Sequence, residues 1–302
     1  MATFVFVLIG SFRIFRGIRR PPKEVMSTRK AIFWSLFWVV LSLLVNVGVY
    51  YTYGGQKAAE FFTGYIIEKS LSVDNLFIFL IIFNYFGVPL HEQRRVLNFG
   101  IIGVIVLRGI LILLGTALVH EFHWVMYIFG AIVVYSGFQM TFGKEKKVEP
   151  ERNIVFKWVR RIIPISNEFR GGRFFFKENG KLQATLLLVV LLIIETTDVV
   201  FAVDSIPAIF AITTDPLIVF GSNIMAVLGL RSMYFVLEKG AQKFVYMKYG
   251  VGIVLVFVGL KMLLADIYKI HIIVSLVVVG ALLLTSILLS YVIKPRGAHH
   301  GE

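Results

Sequence analysis

The chain has 302 residues, of which 58% are hydrophobic, and its mean hydropathy is +0.82. These values exclude a soluble globular domain and indicate a polytopic membrane protein. The absence of Cys excludes disulfides and thiolate metal sites. The formal charge of +13 does not indicate nucleic-acid binding, because the basic residues lie almost entirely in the short segments between apolar runs.

The hydropathy pattern predicts an all-α fold with eight full transmembrane helices, each near the ~20 residues that a bilayer requires. A short apolar N-terminal segment, residues 1–10, precedes them and is too short to span. Residues 143–182 form a basic connector between the fourth and fifth spans. The predicted spans are 31–53, 61–86, 96–119, 124–142, 183–212, 217–237, 249–266 and 271–293.

The basic residues also predict the orientation of the chain. Most Lys and Arg residues lie before residue 31, at positions 94 and 95, within 143–182, within 239–248 or after residue 293. The opposite loops hold only Lys57 and Lys269. By the positive-inside rule the basic segments are cytoplasmic, which predicts a multi-pass protein of the cell (inner) membrane. The connector 143–182 is a candidate docking surface for protein partners, although a solvated loop is the plainer interpretation.

The fifth span carries Glu195, Asp198 and Asp204 within an apolar run. Ionisable side chains at membrane depth cost several kcal/mol unless they are paired or hydrated, so they indicate function. Asp198 and Asp204 lie about 120° apart around an intact helix. Pro207 cannot donate a backbone N–H, and we predict a helix break near it that would bring the two aspartates together.

The same arrangement recurs in the second span. Glu68 is followed after five residues by Asp74 and Asn75, as Asp198 is followed by Asp204 and Ser205. The next span of each set carries one arginine, and the span after that carries two glycines separated by six residues. This order predicts an inverted repeat of three-helix units, 61–142 and 183–266, with a final helix at 271–293. The arginines are Arg108 and Arg231, and the glycines are Gly130, Gly137, Gly252 and Gly259.

These side chains suit a hard cation, because carboxylate and amide oxygens bind such ions. Arg108 and Arg231 are predicted either to pair with acids or to gate the pathway, and Lys261 to pair locally or reach the interface. Five deep acids less these three bases leave two negative charges, which one divalent cation would balance. Lys69 is left out of this count because its side chain can extend toward the membrane surface. Exchange of metal for protons follows as a hypothesis.

The motifs at residues 68–75 and 195–212 resemble the two signatures of the TerC integral membrane family, and the resemblance is strongest to its Alx-like branch. It extends from about residue 31 to residue 293. The family is named for tellurium resistance, and the resemblance implies divalent-metal handling with manganese export. Carried over by position, it implies a metal site at Asp74, Asn75, Asp198 and Asp204, with Glu68 and Glu195 next. Family members usually begin with a full additional helix that bears an acid, and residues 1–15 contain none.

The leading hypothesis is therefore a secondary carrier that exports Mn²⁺ or another divalent cation such as Ca²⁺, with no permanently bound cofactor. Its partners are the cation and membrane lipid, with no nucleic acid. One alternative is an accessory factor for metal loading of exported proteins or for membrane-protein insertion. Another is a tellurium-resistance protein without transport. An enzyme is not predicted, because no Ser–His pair, phosphate loop or aspartyl-protease glycine pattern is present.

Overall fold

The structure, a computed structural model, describes residues 27–122, 124–143, 164–166, 169, 172–178, 181–240, 246–268 and 270–292. The apolar segment 1–10 and most of the connector 143–182, including all of residues 144–163, lie outside these ranges, as do the expectations attached to them. The side chain of Asp74 is also outside the description, although its backbone is part of a helix.

The fold is an all-α bundle that follows the predicted order of apolar runs. The helices are α1 (Thr28–Tyr53), α2 (Gly55–Tyr85), α3 (Leu90–Glu121), α4 (Val125–Phe142), α5 (Leu186–Phe210), α6 (Pro216–Leu228), α7 (Leu230–Gly240), α8 (Met247–Leu263) and α9 (Ile272–Val292). Within the described ranges, six helical stretches are long and apolar enough to cross a bilayer: α1, α3, α4, α5, α9 and the combined stretch Pro216–Glu238. Helix α2 carries several charged residues and α8 has 17 residues, so the count of eight spans stays a prediction.

The sixth predicted span is two helices, because α6 ends at Leu228 and α7 begins at Leu230. A Cβ atom at Gly229, between them, would lie 2.6 Å from Nζ of Lys69 and 3.3 Å from Cβ of Trp38. Nζ of Lys69 donates a hydrogen bond of 3.1 Å to the carbonyl of Ala226, in the last turn of α6. Lys69 therefore provides a donor to a carbonyl at the end of α6, inside the protein. The expectation that its side chain extends toward the membrane surface is wrong.

A small β-sheet at the end of the connector was not predicted from hydropathy, and it includes residues 183–185, which were predicted to begin the fifth span. Its strands are β1 (Ile165–Ser166), β2 (Phe175–Glu178) and β3 (Lys181–Thr185), in the order β1-β3-β2. Strand β1 is parallel to β3 and β2 is antiparallel to it. Asn179-Gly180, a dipeptide typical of hairpin turns, separates β2 from β3 in the sequence. Strand β3 leads directly into α5, so the sheet is attached to the helix that carries three of the six predicted metal ligands.

The sheet packs on the first turns of α3. The ring of Phe174 lies edge-on to that of Phe99, with centroids 4.9 Å apart. Gly172 has a φ of +74°, and a Cβ there would lie 2.7 Å from Oε2 of Glu92. Both the backbone conformation and the lack of space favour glycine at this position. The sheet therefore connects the start of α3 to the start of α5.

Helices α4 and α8 pack closely through their predicted glycines. Gly130 lies against the carbonyl of Gly259, and Gly137 lies against the carbonyl of Gly252. A Cβ at Gly137 would lie 2.6 Å from that carbonyl oxygen and 2.7 Å from the backbone nitrogen of Val256. Small residues that let backbones approach are a common basis of helix association in membranes. The contacts are reciprocal, which is the arrangement that a twofold axis relating α4 to α8 would give. The inverted repeat itself stays a prediction.

Candidate functional site

Arg108 lies at the centre of a buried polar network. It stands in the middle of α3, and 2% of its surface is exposed. Its Nε and Nη2 donate to Oδ2 and Oδ1 of Asp198 on α5, at 3.0 and 2.9 Å. Its Nη1 contacts Glu68 on α2 and donates to Oδ1 of Asn223 on α6 at 3.2 Å. One guanidinium thus joins four helices, with the bidentate geometry that arginine forms with carboxylates.

The network contains more carboxylates than cations. Glu68 is fully buried, and Asp198 and Asn223 are each 1% exposed. Nδ2 of Asn223 donates to Oε2 of Glu68 at 3.1 Å, so the amide turns a donor toward Glu68 and an acceptor toward Arg108. Two carboxylates share one guanidinium. Buried charge that is not compensated is costly, so the network favours the uptake of a further cation, either a proton or a metal.

Glu195 lies one helical turn before Asp198 and faces α3. Its Oε2 is buried and forms no hydrogen bond within the described part of the chain. Gly103 leaves the space that this carboxylate occupies, since a Cβ at Gly103 would overlap it. A Cβ at Gly100 would lie at 3.6 Å from Oε1 of Glu195, an ordinary contact. Because an orphaned buried oxygen carries a desolvation penalty, this carboxyl group is a strong candidate to hold a proton or contact a cation.

Asp204 lies on another side of α5. Its Oδ1 accepts a hydrogen bond of 2.6 Å from Oγ of Ser136 on α4. The predicted break at Pro207 is wrong, because α5 continues as a helix to Phe210. Pro207 removes the hydrogen bond to the carbonyl of Val203, yet the helix continues for three residues beyond it. Asp198 and Asp204 therefore remain on separate faces of an intact helix, one toward α3 and the other toward α4.

The other predicted residues are placed apart from this network. Nη1 of Arg231 donates to Oδ1 of Asn98 on α3, and among the described residues Arg231 forms no ion pair. Lys261 lies in the last turn of α8, within electrostatic reach of Glu60. Arg108 thus pairs with acids, whereas a gating role for either arginine stays a prediction.

The six predicted metal ligands do not converge among the side chains that the structure describes. No group of three or more Asp, Glu or His side chains there has the arrangement of a metal site. Glu68 and Asp198 come together only around Arg108, and Asn75 is buried on α2. Sequence reasoning did not assign Asn223, Ser136 or Gly103 to the site. An Asn inside an apolar span was a usable signal for the first, whereas Ser and Gly are common in such spans.

We expect Gly103→Ala to displace the Glu195 carboxylate, because the added methyl group takes its position, and to reduce any cation flux that depends on this carboxylate. The carboxylate is the end of a flexible side chain, so folding should be little affected. Gly100→Ala, one turn away with an ordinary contact at 3.6 Å, is the matched control. The measurement is cation flux in reconstituted vesicles together with the yield of folded protein. Equal flux from the two variants would show that the position of Glu195 is unimportant.

The comparisons with known proteins agree with the sequence motifs. The profile of the integral membrane protein TerC family matches residues 53–298. An uncharacterized membrane protein of Myxococcus xanthus is 44% identical over 297 residues, which cover 98% of this chain and 93% of the relative. A protein of Salmonella typhi, provisionally named membrane-bound redox modulator Alx, is 44% identical over 98% of this chain and 94% of its own length.

A more distant relative, an uncharacterized membrane protein of Rickettsia felis, is 40% identical over 92% of each chain. No solved structure matches the chain. The family profile covers most of the chain, including all four residues of the buried network, and the relatives align almost end to end. The chain belongs to the integral membrane protein TerC family.

Proposed function

We propose that the protein is a secondary carrier that exports a divalent cation, with Mn²⁺ the first candidate, in exchange for protons at its intramembrane carboxylates. The observation that carries the proposal is the excess of buried carboxylate around Arg108. Glu68 and Asp198 share that guanidinium, and Oε2 of Glu195, one turn away, has no hydrogen bond within the described residues. A site of this kind requires a cation to balance it.

Protons and metal ions would compete for these oxygens. A buried carboxyl group without a counter-charge takes up a proton, and a divalent cation that binds must displace it. Carboxylate and amide oxygens suit Mn²⁺, Ca²⁺ and Mg²⁺ alike, so the donor set favours hard cations as a class. Arg108 occupies the carboxylates of Glu68 and Asp198, and a cation that binds them has to share these oxygens with the guanidinium. Asp74, Asn75 and Asp204 are the further contacts that we propose.

We further propose that the basic loops face the cytoplasm and that the protein resides in the inner membrane. This orientation places the N-terminal ends of α2, α4 and α6 at the outer surface. The provisional name of the Alx relatives suggests redox modulation. Because this chain has no Cys, it offers no thiol for such chemistry, and we do not propose thiol exchange for it.

The test is cation flux in proteoliposomes that contain only this protein, with Mn²⁺, Ca²⁺ and Mg²⁺ offered against imposed pH gradients. We expect Mn²⁺ flux to increase with an opposing proton gradient and to be lost in Asp74→Ala and Asp204→Ala. The Glu195→Gln protein should still insert in the membrane, but its flux should depend less on the pH gradient. Glu121→Gln, at an exposed helix end, is the control and should transport normally.

If the wild-type protein produced no flux under any gradient, the carrier proposal would be wrong. Normal flux from both aspartate variants would contradict the proposed site. Stable co-purification of other membrane proteins together with an absence of flux would favour an accessory role in metal loading or insertion.

A further inference from the structure

We propose that Lys57 is an outer latch, which closes the cation pathway by fastening α2 to the start of α6. This inference rests on the proposed function in naming a cation as the species that passes and in placing the start of α6 at the outer surface. Nζ of Lys57 lies 3.0 Å from Oε2 of Glu60 and 3.2 Å from Oδ2 of Asp215. The contact with Glu60 stays within α2, whereas the contact with Asp215 crosses to α6.

Asp215 has two roles at the start of α6. It is the N-cap residue, and its Oδ1 accepts a hydrogen bond of 3.1 Å from the backbone N–H of Leu217. Its other carboxylate oxygen contacts Lys57. The ion pair therefore acts on the helix end itself, because the capping interaction fixes the carboxylate relative to the first turn of α6. Separation of α6 from α2 at this surface requires the Lys57–Asp215 contact to break.

A cleft of about 690 Å³ opens at this position. Polar side chains line much of it, and the ends of α2, α5 and α6 surround it. The cleft residues are Lys57, Glu60, Phe210, Ile212, Thr213, Thr214 and Asp215. A cavity of this size at the outer surface, beside the carboxylates of Glu60 and Asp215 that Lys57 contacts, gives a departing cation both room and oxygen ligands.

The cleft lies directly above the Arg108 network along two helices. On α2, Glu60, Gly64 and Glu68 follow at intervals of four residues and share one face. On α6, Asn223 follows Asp215 by eight residues. With a rise of 1.5 Å per residue, both intervals correspond to about 12 Å. The seam between α2 and α6 therefore connects the cleft to the two network residues that these helices contribute.

The seam is closed between the two levels. A Cβ at Gly64 would lie 2.9 Å from Oγ of Ser222 on α6 and 3.5 Å from Cγ2 of Ile209 on α5. Ser222 is fully buried. A cation can pass here only when α2 and α6 separate, and the ion pair above opposes that movement. A divalent cation that reaches the cleft would compete with Lys57 for Glu60 and Asp215, so its departure would coincide with release of the latch.

The first experiment measures whether Lys57 controls access to the seam. The chain has no Cys, so Ser222→Cys introduces a single thiol at the buried contact. The rate of its labelling by a membrane-impermeant maleimide added outside intact vesicles is compared in four backgrounds: unchanged, Lys57→Met, Lys57→Arg and Asp215→Asn. Asn preserves the N-cap acceptor while removing the charge.

We expect labelling to be roughly two- to fivefold faster with Lys57→Met and Asp215→Asn, the range for loss of a partly exposed ion pair. Lys57→Arg should keep the slow rate. Equal labelling rates in all four backgrounds would overturn the proposal. Labelling that is as fast with Lys57→Arg as with Lys57→Met would also overturn it.

A second experiment does not require the Ser222 variant to fold. In the double variant Lys57→Cys, Asp215→Cys, a bifunctional thiol cross-linker replaces the ion pair with a covalent bridge and should stop flux until it is cleaved. The same reagent in Tyr127→Cys, Asp266→Cys is the matched control. Those two residues join the outer ends of α4 and α8, which the glycine contacts already hold together. If flux persisted after the cysteines at positions 57 and 215 had been cross-linked, the seam between α2 and α6 would not be the route.

The two proposals can fail separately. Labelling of Ser222→Cys needs no transport, so a protein without flux can still show a latch. Conversely, if flux were robust and the labelling rate did not change when Lys57 was replaced, the carrier proposal would stand and the latch would be refuted.

Discussion

Arg108→Met is expected to destabilise the protein by about 3–5 kcal/mol, the range for removing one partner of a buried ion pair. Methionine preserves most of the volume of arginine but leaves the carboxylates of Glu68 and Asp198 buried without a guanidinium. It also removes a donor to Asn223, whose amide holds Glu68. The measurement is thermal unfolding of the purified protein in detergent, followed by intrinsic fluorescence, and the yield of folded protein in membranes.

Arg231→Met is the matched control for this variant. Arg231 occupies the corresponding position in the predicted second repeat, but its one described hydrogen bond goes to the neutral side chain of Asn98. Its loss should cost less, about 1–3 kcal/mol. Adding Asp198→Asn and Glu68→Gln to Arg108→Met should restore stability, because neutral side chains then replace both buried carboxylates. If the triple variant were no more stable than Arg108→Met alone, charge imbalance would not be the cause of the loss.

Gly137→Ala is expected to cost about 3 kcal/mol and to separate α4 from α8, since overpacking at a tight contact costs 1–3 kcal/mol or more. The added methyl group would meet the carbonyl oxygen of Gly252 and the backbone nitrogen of Val256. Backbone atoms cannot rotate away as a side chain can. The reciprocal change, Gly252→Ala, should have a similar effect, because a Cβ there would lie 3.0 Å from the carbonyl of Gly137 and closer still to Thr141.

Gly280→Ala supplies the control for the glycine prediction. Gly280 lies within α9, and a Cβ there meets no described atom within 4 Å. Alanine in a helix interior is favoured over glycine by roughly 0.5–1 kcal/mol, so this variant should be neutral or slightly more stable. Unfolding temperatures of the variants in one detergent give the comparison. If Gly137→Ala and Gly280→Ala unfolded at the same temperature, the close contact of α4 with α8 would not contribute to stability.

The sequence predicted the helices well, because hydropathy and charge act locally. The bounds of α1, α3 and α4 follow from apolar runs that polar segments interrupt. The break at Gly229 could not be predicted, since it depends on Lys69 and Trp38, which reach the same point from other helices. The sheet was missed for another reason. Its strands are short, and long apolar runs do not reveal them, whereas the Asn-Gly dipeptide in the connector is the local signal of a hairpin.

The candidate site was predicted in its residue types but not in its contacts. Glu68, Glu195 and Asp198 were identified because charge at membrane depth is unusual. Which acid meets Arg108 depends on the rotation of three helices about their axes, and no local pattern specifies that rotation. Pro207 illustrates the opposite error. A proline predicts a helix break, but α5 continues for three residues beyond Pro207 and then ends at Phe210.

The imbalance of the buried network has a consequence for the electrical behaviour of the protein. With both Glu68 and Asp198 ionised, Arg108 leaves one negative charge at membrane depth, and a single proton removes it. A charge that moves through the full transmembrane potential changes the free energy by about 2.3 kcal/mol per 100 mV. In the proposed carrier, the voltage across the membrane would therefore act on this network when both carboxylates are ionised and not when one of them is protonated. It would bias which surface the empty carboxylates face, even where the complete exchange of one divalent cation for two protons moves no net charge.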